Sequence, residues 1–311
     1  MHTPTLKACT SAIDRFFMSP GDLRILNLIR PLFGTLLLIN LLMLWPDRHM
    51  FYGPGSTISQ EYYESLTRNS WSMFHLLPWS SVSVDLYLGV LIGSLLLLIC
   101  GIWSRLAALV VFVLLTGLYN GNSMIFDGED TVFRLFAFFM IFVPGPKSVR
   151  ETASEQRAET GSAWPVWPLR MFQLQMCLMY YCCALQKMKG EPWTDGTALY
   201  YVFRLYDFYR VPMPDFMTEN LFFIKLLSWS VIAIELSVPF LIWFKETRLP
   251  TLVFVLVFHV ILDLSLNLFL FHWIMIAGWL SFASVDDLRL LRWSYWKKPV
   301  SDSTAAQTQY A

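Results

Sequence analysis

The chain has 311 residues, of which 56% are hydrophobic and only 15% are charged, whereas soluble domains average about a quarter charged residues. Its 23 basic and 23 acidic residues cancel, so no overall field attracts nucleic acid. Several apolar runs are as long as membrane spans, which take roughly 18 or more apolar residues. The composition therefore excludes a soluble globular enzyme and predicts contact with a lipid bilayer.

The apolar runs predict the fold. The first begins at Ile25, after a mixed polar segment 1–24, and ends at Trp45 without a small-residue cleavage site. We interpret it as a retained helix rather than a signal peptide. Seven more runs follow, at 84–103, 106–119, 132–144, 167–185, 221–244, 251–270 and 273–285. Runs 106–119 and 132–144 are short for a bilayer, so they must tilt or pack inside the bundle. The pattern predicts an all-α, polytopic integral membrane helix bundle of about eight transmembrane helices over residues 25–288.

The charges predict the orientation. If eight spans alternate from a cytoplasmic N-terminus, fourteen Lys and Arg residues fall inside, and the outer loops keep only Arg48, Arg68, Lys187, Lys189, Arg204 and Arg210. Such an excess inside is what the positive-inside rule describes. We expect a multi-pass protein of the cell (inner) membrane with both termini cytoplasmic. Segment 146–163 is predicted to be a flexible inner loop and 289–311 a disordered tail.

Ionisable residues inside the spans are candidate functional residues because a bilayer makes them unfavourable. Glu235 lies near the middle of run 221–244, and Pro239 follows it closely. Two interpretations stay open. The carboxyl group is either structural, protonated or hydrogen-bonded to a neighbouring helix, or it is a pocket acid or the partner of a cation.

The seventh run carries a second group. His259, Asp263 and Asn267 are spaced four residues apart, which predicts one column on one helix face. The column could relay a proton or orient a polar ligand, and a hydrogen-bonded seam between helices is an equal alternative. His272 is expected at the membrane interface.

Acidic residues precede the fourth run. Asp130 and Arg134 have the spacing of a salt bridge at a helix N-terminus, and that is the interpretation we favour. The segment lacks the spacing of a calcium loop, so we predict no metal.

Two lysines follow the fifth run. Lys189 is expected to be an interfacial anchor whose ammonium group reaches water. Lys187 lies deeper, where desolvation would make a neutral amine available as a base.

An ordered set of short motifs resembles the HTTM family, the membrane domain shared with vitamin K-dependent gamma-glutamyl carboxylases. The matches are FYGPGS at 51–56, GIWSRLA at 101–107, the turn before 130, ALQK at 184–187 with Trp193 and Gly196 downstream, Glu235 before Pro239, and Phe258 before His259. Together they cover roughly residues 20–290.

The resemblance implies a function and a site. In the carboxylases, the lysine that matches Lys187 deprotonates reduced vitamin K, so Lys187 would be the base, with His259 as a second catalytic residue. The implied cofactor is a reduced, vitamin K-like quinone, and the implied partners are the bilayer and a protein or peptide. The ligand pocket would open outward and would include Asp130, Trp193, Glu235, Asp263 and Asn267.

Two departures limit the resemblance. Carboxylases carry an Asn-His pair where this chain has Gly128, Glu129 and Asp130. They also have a large lumenal domain, whereas this chain stops soon after the last run, which suggests a bacterial protein. We therefore do not expect glutamate carboxylation. Quinone binding and other base chemistry stay open, as does the alternative of a non-enzymatic scaffold for the maturation or export of another protein.

Overall fold

The computed structural model describes residues 4–149, 164–205, 208, 210–211 and 213–284, with residues 4–9 as backbone only. Within these residues the chain is helical and contains no strand. The all-α prediction is confirmed to this extent. The predicted tail and residues 150–163 of the predicted inner loop lie outside the described residues.

Ten helices of eight or more residues build the described fold. They are α1 (Pro4–Met18), α2 (Leu26–Leu44), α3 (Gln60–Thr67), α4 (Ser81–Cys100), α5 (Ser104–Gly121), α6 (Gly128–Met140), α7 (Trp167–Lys187), α8 (Leu221–Leu241), α9 (Lys245–Ser265) and α10 (Phe271–Trp279). Shorter helical turns lie between them, including Arg48–Phe51, Glu191–Thr194 and Ala198–Val202.

Each of the eight predicted apolar runs coincides with one helix. The first run coincides with α2, and the other seven coincide with α4 to α10 in order. Five of them, α2, α4, α5, α8 and α9, are long and apolar enough to cross a membrane. The run 106–119 belongs to this group because α5 extends it at both ends to 18 residues. The structure thus supports a membrane protein with several spans, while the count of eight and the orientation of the termini stay predictions.

Consecutive long helices alternate in direction, so their ends collect at two ends of the bundle. At one end, which we call the Lys187 end, Glu129 at the start of α6 bonds Asn40 of α2 and the backbone of Leu270 before α10. At the opposite end, Arg30 near the start of α2 bonds the carbonyl of Pro144 after α6.

Helix α10 has only nine residues and is enclosed by protein. It packs against α2, α6, α7 and α9, and most of its residues are buried. At Gly278 a Cβ atom would lie 2.3 Å from Met176 and 2.6 Å from Phe136, so any larger residue would require both side chains to move. A helix surrounded in this way needs no bilayer length of its own.

Candidate functional site

An ion pair joins α7 and α8. Lys187, the last residue of α7, donates from Nζ to Oε1 of Glu235. Only 24% of the lysine side chain and 13% of the glutamate side chain are exposed. The second glutamate oxygen, Oε2, is buried and has no hydrogen-bond partner. The Lys187 ammonium also lies 5.3 Å from the centre of the Trp193 ring, within range of a cation–π contact.

The register of the two helices places Glu235 deeper than Lys187. Trp229 of α8 bonds the carbonyl of Thr194, beyond the end of α7. Glu235 lies six residues further along α8, about 9 Å deeper at 1.5 Å per residue. Lys187 thus turns back from the helix end towards the bundle, whereas an anchoring lysine extends to water. Pro239 has no N–H to bond the carbonyl of Glu235, so the helical hydrogen bond to that carbonyl is missing.

A hydrogen-bonded chain of three side chains lies inside the bundle. The Nε2 atom of His259 is 2.7 Å from the hydroxyl of Tyr180, and its Nδ1 atom is 3.1 Å from Nδ1 of His272. One of the two Nδ1 atoms must carry the proton for this bond to form. His272 is 1% exposed, so our expectation of an interfacial residue was wrong. The chain joins α7, α9 and α10.

The predicted column on α9 is only partly formed. His259 and Asp263 are both buried on this helix. The helix ends at Ser265, however, and the backbone of Asn267 bonds the carbonyl of Phe208 instead. The prediction that Asn267 extends the helical face was therefore wrong, because the backbone leaves the helix before that residue. Asp263 pairs with Arg210 at 3.4 Å, and its Oδ1 is buried without a partner.

The acidic residues at the start of α6 form a helix cap. The carboxylate of Asp127 accepts from the backbone of Glu129 and Asp130, and the carboxylate of Asp130 accepts in return from the backbone of Asp127. This reciprocal arrangement is a capping box. The favoured Asp130–Arg134 salt bridge is not among the ion pairs of the described residues, because the Arg134 guanidinium lies over the Phe126 ring at 5.4 Å.

A cavity of about 380 Å³ adjoins this cap at the Lys187 end. Glu129 and Asp130 line it. Both residues lie outside the five candidate spans. Burial, reinforced by the charge of Asp127, raises the pKa of Glu129 to about 7. Burial also raises the pKa of Asp130 to about 6.

The predicted site residues therefore separate into three groups. The structure joins Lys187 with Trp193 and Glu235, while His259 and Asp263 lie on α9. Asp130 lines a cavity whose described lining contains neither Lys187 nor His259. Among the described residues, no group of three His, Cys, Asp or Glu side chains has the arrangement of a metal site.

Sequence reasoning missed two members of these groups. Tyr180 bonds His259, but in the sequence it lies in an aromatic run with nothing to distinguish it. Glu129 bonds α2 and the chain before α10. Its acidic neighbours drew attention to the segment, but no spacing indicated these two partners.

Comparison with known protein families identifies the family of this chain. The model of the HTTM domain matches residues 18–286 and so covers most of the chain. No solved structure matches the chain. The matched region contains helices α2 to α10 and all three groups of candidate residues. The chain therefore belongs to the HTTM domain family.

Proposed function

We propose that this protein is an enzyme of the cell (inner) membrane in which Lys187 acts as a base towards a hydrophobic, quinone-like ligand. The observation that carries the proposal is the Lys187–Glu235 pair, which is shielded from water and includes a buried carboxylate oxygen without a partner. Paired ionisable groups with little access to water are typical of sites that move protons.

The pair can hold its proton on either residue. In water, an ammonium and a carboxylate are favoured by a wide margin, but burial disfavours both charged forms. Burial therefore reduces the difference in free energy between the charged pair and the alternative, a neutral amine beside a carboxylic acid. With the proton on Glu235, Nζ of Lys187 has a free lone pair and can accept a proton from a ligand. Glu235 thus acts as a positioning residue that also stores the proton.

Three features beside Lys187 support a quinone-like ligand. Trp193 offers a flat ring beside the lysine, α7 and α8 offer apolar faces, and Oε2 of Glu235 can bond a hydroxyl group. A reduced quinone, when bound, supplies a hydroxyl proton to the base and electrons to an oxidant such as oxygen. Lys187 would accept that proton at Nζ, and its ammonium would then hold the resulting negative charge.

One further side chain that can carry a proton, Tyr180, lies on the same face of α7. Tyr180 precedes Lys187 by seven residues, which is two helical turns. Its hydroxyl is bonded to His259, which is bonded to His272. We propose that these residues hold Tyr180 in place towards the apolar interior and shape the deep end of the ligand site.

The experiment uses the full chain in nanodiscs and a reduced vitamin K-type naphthoquinone as the probe. Quinone content is measured by mass spectrometry of lipid extracts, and turnover is measured as oxygen consumption. The wild type is compared with Lys187→Met, with the double variant Lys187→Met/Glu235→Leu, and with Lys189→Met, whose lysine is exposed. We expect near-stoichiometric quinone and turnover in the wild type and in Lys189→Met.

The double variant separates catalysis from folding. It removes both charges, so it should fold at least as well as Lys187→Met, yet it should have no turnover because the base is missing. Turnover in the double variant would contradict the assignment of Lys187. Bulk phospholipid alone in the wild type, with no oxygen consumption, would favour the scaffold alternative.

A further inference from the structure

The turn between α4 and α5 lines a cavity of about 620 Å³ at the end of the bundle opposite the Lys187 end. One wall is formed by Gly101 and residues 103–106, and the other by residues 145–148, which follow α6. The two walls are in contact, since a Cβ atom at Gly101 would lie 2.5 Å from the ring of Pro146. Because α4 and α5 are candidate membrane spans, a cavity at their junction lies at the level of a bilayer surface.

The lining of this cavity is basic. Arg105 comes from one wall and Lys147 from the other, and both are exposed. No Asp or Glu is among the described residues that line the cavity, and neither cation belongs to an ion pair within the described part of the chain. The Arg105 guanidinium lies instead over the Trp164 ring, 5.6 Å from its centre. Two cations that line one cavity without an acid attract an anion.

The start of α5 gives an independent indication of an anion. Ser104, its first residue, lines the cavity and is 5% exposed. Among the described residues its hydroxyl has no hydrogen-bond partner, although protein does not enclose it. The hydroxyl points towards the other wall, where a Cβ atom at Gly145 would lie 3.6 Å from it. The first N–H groups of α5 also lack a capping side chain, because Trp103 precedes them. These donors are available to an anion.

The apolar residues at the rim indicate that the anion belongs to a lipid. Trp103 lines the cavity and is 76% exposed, and its φ of 43° is one that bulky residues rarely adopt. Packing within the bundle does not account for this uncovered ring. Its neighbours Ile102 and Leu106 are exposed as well. Tryptophan is enriched at the level of lipid headgroups, so these side chains are suited to contact with the bilayer beside the cavity.

We propose that this cavity binds the phosphate group of an anionic phospholipid from the surrounding leaflet. The phosphate oxygens accept hydrogen bonds from Arg105 and Lys147, from the Ser104 hydroxyl and from the first N–H groups of α5. The acyl chains then lie against the exposed side chains of Trp103 and Leu106. A free phosphate would satisfy the same donors but would leave these apolar side chains without a partner, so a lipid fits the whole site better.

The test uses native mass spectrometry of the full chain in detergent, which measures how much of each added lipid is bound. The probes are phosphatidylglycerol, phosphatidylcholine with the same acyl chains, and glycerol phosphate, which has the phosphate group but no acyl chains. We expect phosphatidylglycerol to bind about tenfold more tightly than phosphatidylcholine, and glycerol phosphate to bind more weakly than phosphatidylglycerol. Equal affinities for the two lipids would overturn the proposal. Glycerol phosphate that binds as tightly as phosphatidylglycerol would show that the site takes free phosphate and would contradict the assignment to a lipid.

Variants locate the binding. The double variant Arg105→Gln/Lys147→Gln should remove the preference for phosphatidylglycerol, and Ser104→Ala should weaken its binding severalfold. Lys245→Gln is the matched control, because Lys245 is an exposed lysine at the same end of the bundle that does not line the cavity. An unchanged preference in the double variant, or an equal loss in Lys245→Gln, would overturn the proposal. Lys187 does not line this cavity either, so Lys187→Met should bind lipid as the wild type does, and this test and the quinone test can fail separately.

Discussion

Two regions of the bundle keep carboxylates away from water in opposite ways. On α8, Glu235 has a cation, Lys187, as its partner, and one oxygen has no bond at all. At the start of α6, Glu129 has neutral donors for both oxygens, Asn40 and the backbone of Leu270. The first arrangement balances charge but leaves hydrogen bonding incomplete. The second satisfies hydrogen bonding but leaves the charge unbalanced.

The difference determines what each region can do. A charge-balanced pair can move a proton between its members without changing its net charge, which suits acid–base chemistry. A group of carboxylates bonded by neutral donors can reduce its repulsion only by taking up a proton or a cation. The Lys187–Glu235 pair therefore has the arrangement that the proposed proton transfer needs, whereas the carboxylates at the start of α6 take up protons at a higher pH than ordinary carboxylates do.

Removing one member of the Lys187–Glu235 pair should have the largest effect. Leaving a buried charge unpaired lowers the free energy of unfolding by about 3–5 kcal/mol. For Lys187→Met we expect about 3 kcal/mol, the lower end of that range, because the Lys187 side chain is partly exposed. The double variant Lys187→Met/Glu235→Leu should recover most of the loss, because apolar replacements remove the unpaired charge. The measurement is the thermal unfolding midpoint in nanodiscs.

Lys189→Met is the matched control, since Lys189 is exposed only two residues further on. We expect its midpoint to match that of the wild type. A double variant that is as unstable as Lys187→Met would show that the pair is not a charge-balanced unit, and the contrast between the two regions would then be lost.

The histidine chain should show a smaller effect. His259→Leu leaves the hydroxyl of Tyr180 and a ring nitrogen of His272 buried without their partner, which should lower the free energy of unfolding by about 2 kcal/mol. Tyr180→Phe removes one hydrogen bond of the same chain and should lower it by about 1 kcal/mol. Both are measured as thermal midpoints. Equal midpoints for Tyr180→Phe and the wild type would mean that the hydroxyl does not help to hold His259.

Much of the fold could be predicted because apolar runs in a membrane protein nearly define its helices. Backbone groups in lipid must be bonded within the segment, so each of the eight runs coincides with a helix. The end of α9 could not be predicted in this way. The apolar run continues to Leu270, but the backbone leaves the helix after Ser265 and Asn267 bonds Phe208, a contact that depends on how distant segments pack.

The candidate site was predictable only as a set of residue types. Glu235 and Lys187 stood out because charged residues are rare in apolar runs, but their contact depends on the register of α7 and α8. His272 was misplaced because it lies at the start of a short run, where an interfacial residue is the ordinary expectation. Its burial follows from the position of α10 among four other helices.

The acidic region should make stability depend on pH. The folded pKa of Glu129 is raised to about 7, above its ordinary value of 4.5, so between these values the folded state holds more protons than the unfolded state. The free energy of unfolding should therefore fall as pH rises from about 4.5 to about 7. Glu129→Gln should reduce this fall in the thermal midpoint, and Asp130 should account for part of what remains. The slope of the wild type is the reference, and an unchanged slope in Glu129→Gln would contradict the assignment.

The smallest effect is expected for an ion pair that is open to solvent. Arg48 and Asp85 lie 2.5 Å apart, and 43% of the aspartate side chain is exposed. Solvent screens such pairs, so Asp85→Asn should lower the free energy of unfolding by no more than about 0.5 kcal/mol, because Arg48 also bonds the carbonyl of Trp45 and packs on its ring. The thermal midpoint of Asp85→Asn, measured beside that of Glu235→Gln, compares the same kind of pair at two depths. If the thermal midpoint of Asp85→Asn fell as far as that of Glu235→Gln, depth in the bundle would not determine the strength of these pairs. Any distinct behaviour of Glu235 would then have to come from Pro239 and the missing backbone hydrogen bond beside it.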